Sequence, residues 1–160
     1  MKSLQIRWQR LVDDSNQTCG RCGSTGAAVE RAVELLKRAL RELEIDVALK
    51  TEALDPASFA KDPLESNRIW IGGLPLEWWL SATSGKSQCC DACGDEDCRT
   101  MTVDGRTYEA IPVELIVKAG LLAAARLLGT DPPEGCCDPG AAPAQGPGRV
   151  LPTSQCGCGG

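Results

Sequence analysis

Hydrophobic and polar positions alternate at the start of the chain: Leu4, Ile6 and Trp8 are separated by Gln5, Arg7 and Gln9. A period of two puts the three apolar side chains on one face, which predicts a first strand. The period then lengthens. Val29, Val33, Leu36, Leu40 and Leu43 fall on one helical stripe, with Glu30, Arg31, Glu34, Lys37, Arg38, Arg41 and Glu42 left for solvent, so a helix is expected to run to about Glu44. Ile45, Val47 and Leu49 return to alternation as a second strand. A strand, a helix of crossover length and another strand form a βαβ unit, expected to be parallel and right-handed.

Beyond it, Asp55-Pro56 has the cap and first-turn chemistry of a short helix ending at Lys61. Residues 68–71 read as a strand, and Gly72-Gly73 offers the positive φ values of a tight turn into Leu74-Pro75-Leu76. Residues 77–80 form a helical turn carrying Trp78 and Trp79, which together with Trp70 are expected in the core or on a partner-facing patch. Residues 81–99 are polar and predict a loop. Residues 100–103 and 107–110, joined by Asp104-Gly105, predict a hairpin. Pro112 opens a last helix expected to pack Leu115, Ala119, Leu122 and the 126–128 segment on the sheet. Residues 131–160 contain six prolines and seven glycines, the composition of a disordered tail, so the folded domain is placed at 1–129 and the tail at 130–160.

Charge and composition narrow the function. The 160-residue chain carries a net charge of −5, with its cations spread along helical stretches, so it lacks the basic footprint of a nucleic-acid binder. Its most apolar run, residues 119–128, is too short for a membrane span and contains Arg126. The first ten residues have no signal-peptide core, which predicts a cytoplasmic protein whose cysteines are kept reduced. There is no histidine and there are ten cysteines. The missing imidazole excludes Ser-His-Asp triads, Cys-His pairs and Cys/His zinc fingers. Chemistry therefore falls to thiols.

Cys19 and Cys22 form a CxxC between a strand and a helix, beside Arg21. A helix N-terminus and a cation both favour thiolate, so one of the pair is expected to have a lowered pKa. Cys89, Cys90, Cys93 and Cys98 are interleaved with Asp91, Asp95, Glu96 and Asp97, offset by Arg99 alone. Carboxylates weaken a thiol as a nucleophile and attract cations, which favours a soft-metal site such as Cys₄ zinc. A loop stapled by disulfides and an iron–sulfur cluster are the alternatives. Neighbouring Cα atoms about 3.8 Å apart lie below the usual disulfide range, so Cys89-Cys90 and Cys136-Cys137 suit one shared thiophilic atom better than a bond between themselves. Cys136, Cys137, Cys156 and Cys158 belong to the tail, whose reach of about 29 Å would let it deliver thiols to a domain of about 14 Å radius of gyration.

The stretches Trp8-Gln9-Arg10-Leu11-Val12, Thr18-Cys19-Gly20-Arg21-Cys22, residues 62–71 and Cys89-Cys90-Asp91-Ala92-Cys93-Gly94-Asp95 to Cys98 resemble DUF2703, a prokaryotic family of thioredoxin-like proteins. The resemblance covers residues 1 to about 128 and implies an α/β thioredoxin-like fold: a βαβ unit plus ββα, a mixed four- to five-stranded sheet, and a cysteine-rich loop. By analogy with such motifs Cys19 is the nucleophile. Thioredoxins carry a cis-proline before the third strand; Ser66-Asn67-Arg68 stands there instead, with Pro63 several residues early. Three functions follow as expectations. The first is binding or transfer of zinc, arsenite or mercury-type ions through Cys89, Cys90, Cys93, Cys98 and the tail thiols, with Cys19 and Cys22 as a second site. The second is thiol–disulfide exchange with a redox partner protein. The third is iron–sulfur electron transfer.

Overall fold

The computed structural model describes residues 1–89 and 93–129. Strand β1 (Lys2–Leu11) leads to helix α1 (Gly20–Ala39) and strand β2 (Ile45–Leu54). Helix α2 (Pro56–Lys61), strands β3 (Arg68–Ile71) and β4 (Leu74–Pro75) and helix α3 (Leu76–Leu80) follow. Then come β5 (Thr83–Gln88), β6 (Asp97–Val103), β7 (Arg106–Tyr108) and helix α4 (Val113–Leu127). The main sheet has the order β2-β1-β3-β4. β1 runs parallel to β2 from Lys2↔Ile45 to Leu11↔Leu54 and antiparallel to β3. This is the expected thioredoxin-type core, a βαβ unit continued by ββα around a four-stranded mixed sheet.

The alternation in β1 buries Leu4, Ile6 and Trp8 against Val29, Ala32, Val33 and Leu36 of α1. Two glycines allow α1 to come this close to β1 and to α4. A Cβ at Gly26 would collide with the Trp8 ring, and one at Gly120 would collide with Leu36 where α1 meets α4. That second approach explains one departure from the periodicity. The buried face of α4 consists of Ile116, Ala119, Gly120, Ala123 and Ala124, while Leu122 is exposed with Leu121, Leu127 and Leu128. Small residues occupy the face that receives the Leu36 side chain, and the larger leucines turn outward. α1 also stops earlier than its stripe suggests. A single 3₁₀ turn spans Arg41–Leu43 and Glu44 takes φ 53° to turn the chain into β2, leaving Leu43 exposed.

The segment 81–99, expected as a loop, supplies β5 and the start of β6. With β7 these form a separate antiparallel sheet, order β5-β6-β7, so the 100–110 hairpin does not extend the main sheet. β5 reads Thr-Ser-Gly-Lys-Ser-Gln and has no apolar residue to generate a period, so backbone pairing with β6 holds it in place. Arg99 fastens this sheet to the core. Its Nε donates to Glu77 Oε1 at 2.9 Å and its Nη1 to the Leu64 carbonyl at 2.8 Å. The guanidinium thus turns away from the acidic loop it was expected to neutralise. Asp104 and Gly105 both have positive φ, as the predicted two-residue turn requires. Trp79 is half-buried with its Nε1 donating to the Ile71 carbonyl, and Trp78 is exposed. No helix among the described residues is long and apolar enough to cross a membrane. The expected tail lies outside the described residues.

Candidate functional site

A short, closely bonded turn delivers the CxxC. Asp13 Oδ1 accepts from the N–H groups of Ser15 and Gln17 at 2.8 Å each, and Thr18 Oγ1 donates to the Leu11 carbonyl at 2.8 Å. Side-chain-to-backbone bonds of this type fold the chain back on itself. Cys19 therefore arrives as the N-cap of α1, with extended backbone and its carbonyl accepting from Gly23 N–H at 2.8 Å. The open N–H groups and positive dipole end of the helix lie at this position. Cys22, one turn on, is fully buried.

A second strap brings the other thiols to the same point. Arg21 Nη2 donates to the Gln88 carbonyl at 3.1 Å and pairs with Glu109 at 3.0 Å, while the Ser87 hydroxyl donates to Glu109 Oε1 at 2.8 Å. The end of β5 is thereby tied to the start of α1, and Cys89 follows directly. Arg21 thus pairs with a carboxylate and holds the backbone that leads into Cys89.

The sulfurs of Cys19, Cys89 and Cys93 all lie within 4.8 Å of one another, with Cys19 and Cys89 4.0 Å apart. Cys89 also forms a disulfide with Cys98, their Cα atoms 5.2 Å apart. The structure thus gathers Cys19 with two loop thiols, whereas the sequence grouped the loop thiols with one another. Cys90, Cys136, Cys137, Cys156 and Cys158 lie outside the described residues. A cleft of about 310 Å³ opens beside Cys19 and Cys93 and is walled by Leu11, Asp13 and Phe59. It gives small solutes a route to the sulfurs.

Ser66 and Asn67 occupy the place opposite the CxxC, where the sequence departs from thioredoxins, and both are buried. Ser66 Oγ lies 3.6 Å from Cys22 Sγ and accepts from Leu11 N–H at 2.9 Å. Asn67, at φ 58°, accepts from Trp8 Nε1 at 3.3 Å and donates to Thr25 Oγ1 at 3.1 Å, which also accepts from Ile111 N–H at 3.1 Å. This network braces α1 directly behind the cysteines. Periodicity had no means of finding it, because a polar residue before a strand reads as a turn.

Burial, followed by the neighbouring charge of Cys19, pushes the Cys22 thiol up to about 11, while hydrogen bonds from Ser66 and Thr18 pull the other way. Cys22 therefore keeps its proton at neutral pH. The unfolded chain loses this proton near pH 9 and the folded chain near pH 11, so stability is unaffected below pH 9 and falls as the pH rises through that window. The loss attributable to Cys22 should be about 3 kcal/mol. Denaturant melts at pH 8 to 11 check this, since Cys22→Ser should remove that part of the alkaline decline.

With this geometry in view, the comparisons fix the family. The model of a domain of unknown function, DUF2703, matches residues 4–120. The chain belongs to this family. The match takes in Cys19, Cys22, Cys89, Cys90, Cys93 and Cys98 and stops before the four tail cysteines. An uncharacterized protein of Archaeoglobus fulgidus is 40% identical to this DUF2703 chain over 113 residues, covering 71% of this chain and 82% of its own. No solved structure matches.

Proposed function

We propose that this DUF2703 protein binds or passes on a soft metal or metalloid ion through the thiolates of Cys19, Cys89 and Cys93. The convergence of their three sulfurs within 4.8 Å carries the reading. Sulfurs held about 2.3 Å from one zinc ion stand roughly 3.8 Å apart in a tetrahedral site, close to the 4.0 Å between Cys19 and Cys89. Thiolates select thiophilic ions, and a set of three suits arsenite and mercuric ion as well as zinc with a fourth ligand. Ion capture requires that Cys89 first be released from Cys98, which fits a reducing, cytoplasmic setting. The cleft beside Cys19 and Cys93 is the entry route.

Native mass spectrometry of the fully reduced chain tests the proposal, with Zn²⁺, arsenite and Hg²⁺ offered separately. Retention of one ion per chain at micromolar concentration is expected for at least one of them, and no retained ion of any kind would end the reading. Thiol–disulfide exchange stands as a second reading, favoured by the 4.0 Å approach of Cys19 to a sulfur already in a disulfide.

A further inference from the structure

Three features meet at the N-terminus of α1. Cys19 and Cys22 lie one helical turn apart with their side chains in hydrogen-bonding contact. Cys89 and Cys98 form a disulfide that ties the end of β5 to β6. Cys19 Sγ lies 4.0 Å from Cys89 Sγ, so the two cysteine pairs meet sulfur to sulfur. Arg21 and Glu109 hold that approach by anchoring Gln88 and Ser87.

We infer that the CxxC pair reduces the Cys89–Cys98 disulfide within the same chain, and that this internal exchange controls access to the three-sulfur site. In the first step the Cys19 thiolate attacks Cys89 Sγ. The Cys19–Cys89 bond forms, the Cys89–Cys98 bond breaks, and Cys98 leaves as a thiolate that takes up the proton given up by Cys19. In the second step Cys22 Sγ attacks Cys19 Sγ, giving up its proton as the bond forms. The Cys19–Cys22 bond forms, the Cys19–Cys89 bond breaks, and Cys89 leaves and takes the proton from Cys22. Two electrons pass from the CxxC dithiol to the second pair, and the exchange needs no outside oxidant or reductant.

An external dithiol then reduces Cys19–Cys22 and resets the chain. Only after this reset do Cys19, Cys89 and Cys93 all carry thiols together, so one bridge closes the site on the Cys89 side and the other closes it on the Cys19 side. A bound soft ion occupies both sulfurs of the first step and stops the exchange. The exchange itself stands apart from the ion reading; only its gating role rests on that reading.

Two measurements on the full chain decide the matter. Wild-type protein with Cys89–Cys98 closed and Cys19 and Cys22 reduced is incubated without oxygen, metal or added thiol, acid-quenched, alkylated and mapped by mass spectrometry. Cys19–Cys22 should appear at the expense of Cys89–Cys98, with a rate constant unchanged over a tenfold range of protein concentration. In Cys22→Ser the second step is blocked, and a peptide pair joining Cys19 to Cys89 should rise severalfold over wild type. No interconversion, or a rate proportional to protein concentration, would overturn the inference even if the variant failed to fold. A normal disulfide map in a protein that retains no ion would remove the ion reading and leave the exchange standing.

Discussion

Cys19→Ser is expected to weaken soft-ion binding by well over 100-fold while leaving the fold in place. Loss of a group that only orients a metal ligand already costs about 10- to 100-fold, and Cys19 supplies one of the three converging sulfurs of the proposed site. The substitution separates the two groupings of thiols. If the ion were held within the 89–98 loop alone, four cysteines would survive in Cys19→Ser and affinity would hardly change. If the ion sits where the structure brings the sulfurs together, two ligands remain and retention is lost. Competition titration against a chelator of known affinity, on fully reduced protein, reads the difference. Serine is close to cysteine in size at this N-cap and is a favourable capping residue, so helix α1 should be undisturbed. Unchanged circular dichroism with lost ion binding is the expected pair of results. Unchanged affinity would return the site to the loop.

Asn67→Ala is expected to lower stability by about 2–5 kcal/mol. The side chain takes the indole N–H of Trp8 and gives a hydrogen bond to Thr25 Oγ1 in a buried setting. A buried donor left without its partner costs about 1–3 kcal/mol. The backbone adds to this. Asn67 holds φ 58°, and alanine in the left-handed region costs about 1–2 kcal/mol more than a residue that visits it routinely. Asn67→Gly relieves the backbone part and keeps the hydrogen-bond loss, so the gap between the two variants measures the strain. Urea denaturation with an unchanged m-value checks both. Because Thr25 lies one turn beyond Cys22 on α1, the same variants should also loosen the position of the CxxC. Equal stability in Asn67→Ala and wild type would show that the network is not what holds the helix.

The main elements were legible in the sequence because each buries one face. Leu4, Ile6 and Trp8 need a flat partner, the stripe of α1 needs a sheet to cover it, and Asp104-Gly105 needs positive φ. Such local demands determine strands, a crossover helix and a tight turn without reference to distant residues. The motif pattern pointed to DUF2703 for the same reason, and the absence of histidine left thiols to carry the chemistry. β5 was not legible, since a strand without apolar residues has no period and exists only through its pairing with β6. The outward leucines of α4 were misplaced because hydrophobicity ranks leucine above glycine, whereas close helix contact ranks them by size.

The site divides along the same line. Sequence alone singled out the cysteines near 19 and near 90 as the candidate groups, because residue type and local spacing are written in the chain. Which sulfurs meet depends on a contact across 70 residues, set by the Arg21–Glu109 strap and the pairing of β5 with β6. Charge pattern cannot report a distance, so it placed the cation of Arg99 among the loop carboxylates. In the folded chain that guanidinium pairs with Glu77 and braces the Leu64 carbonyl instead, Arg21 holds the Gln88 carbonyl, and Cys19 is brought to Cys89 and Cys93.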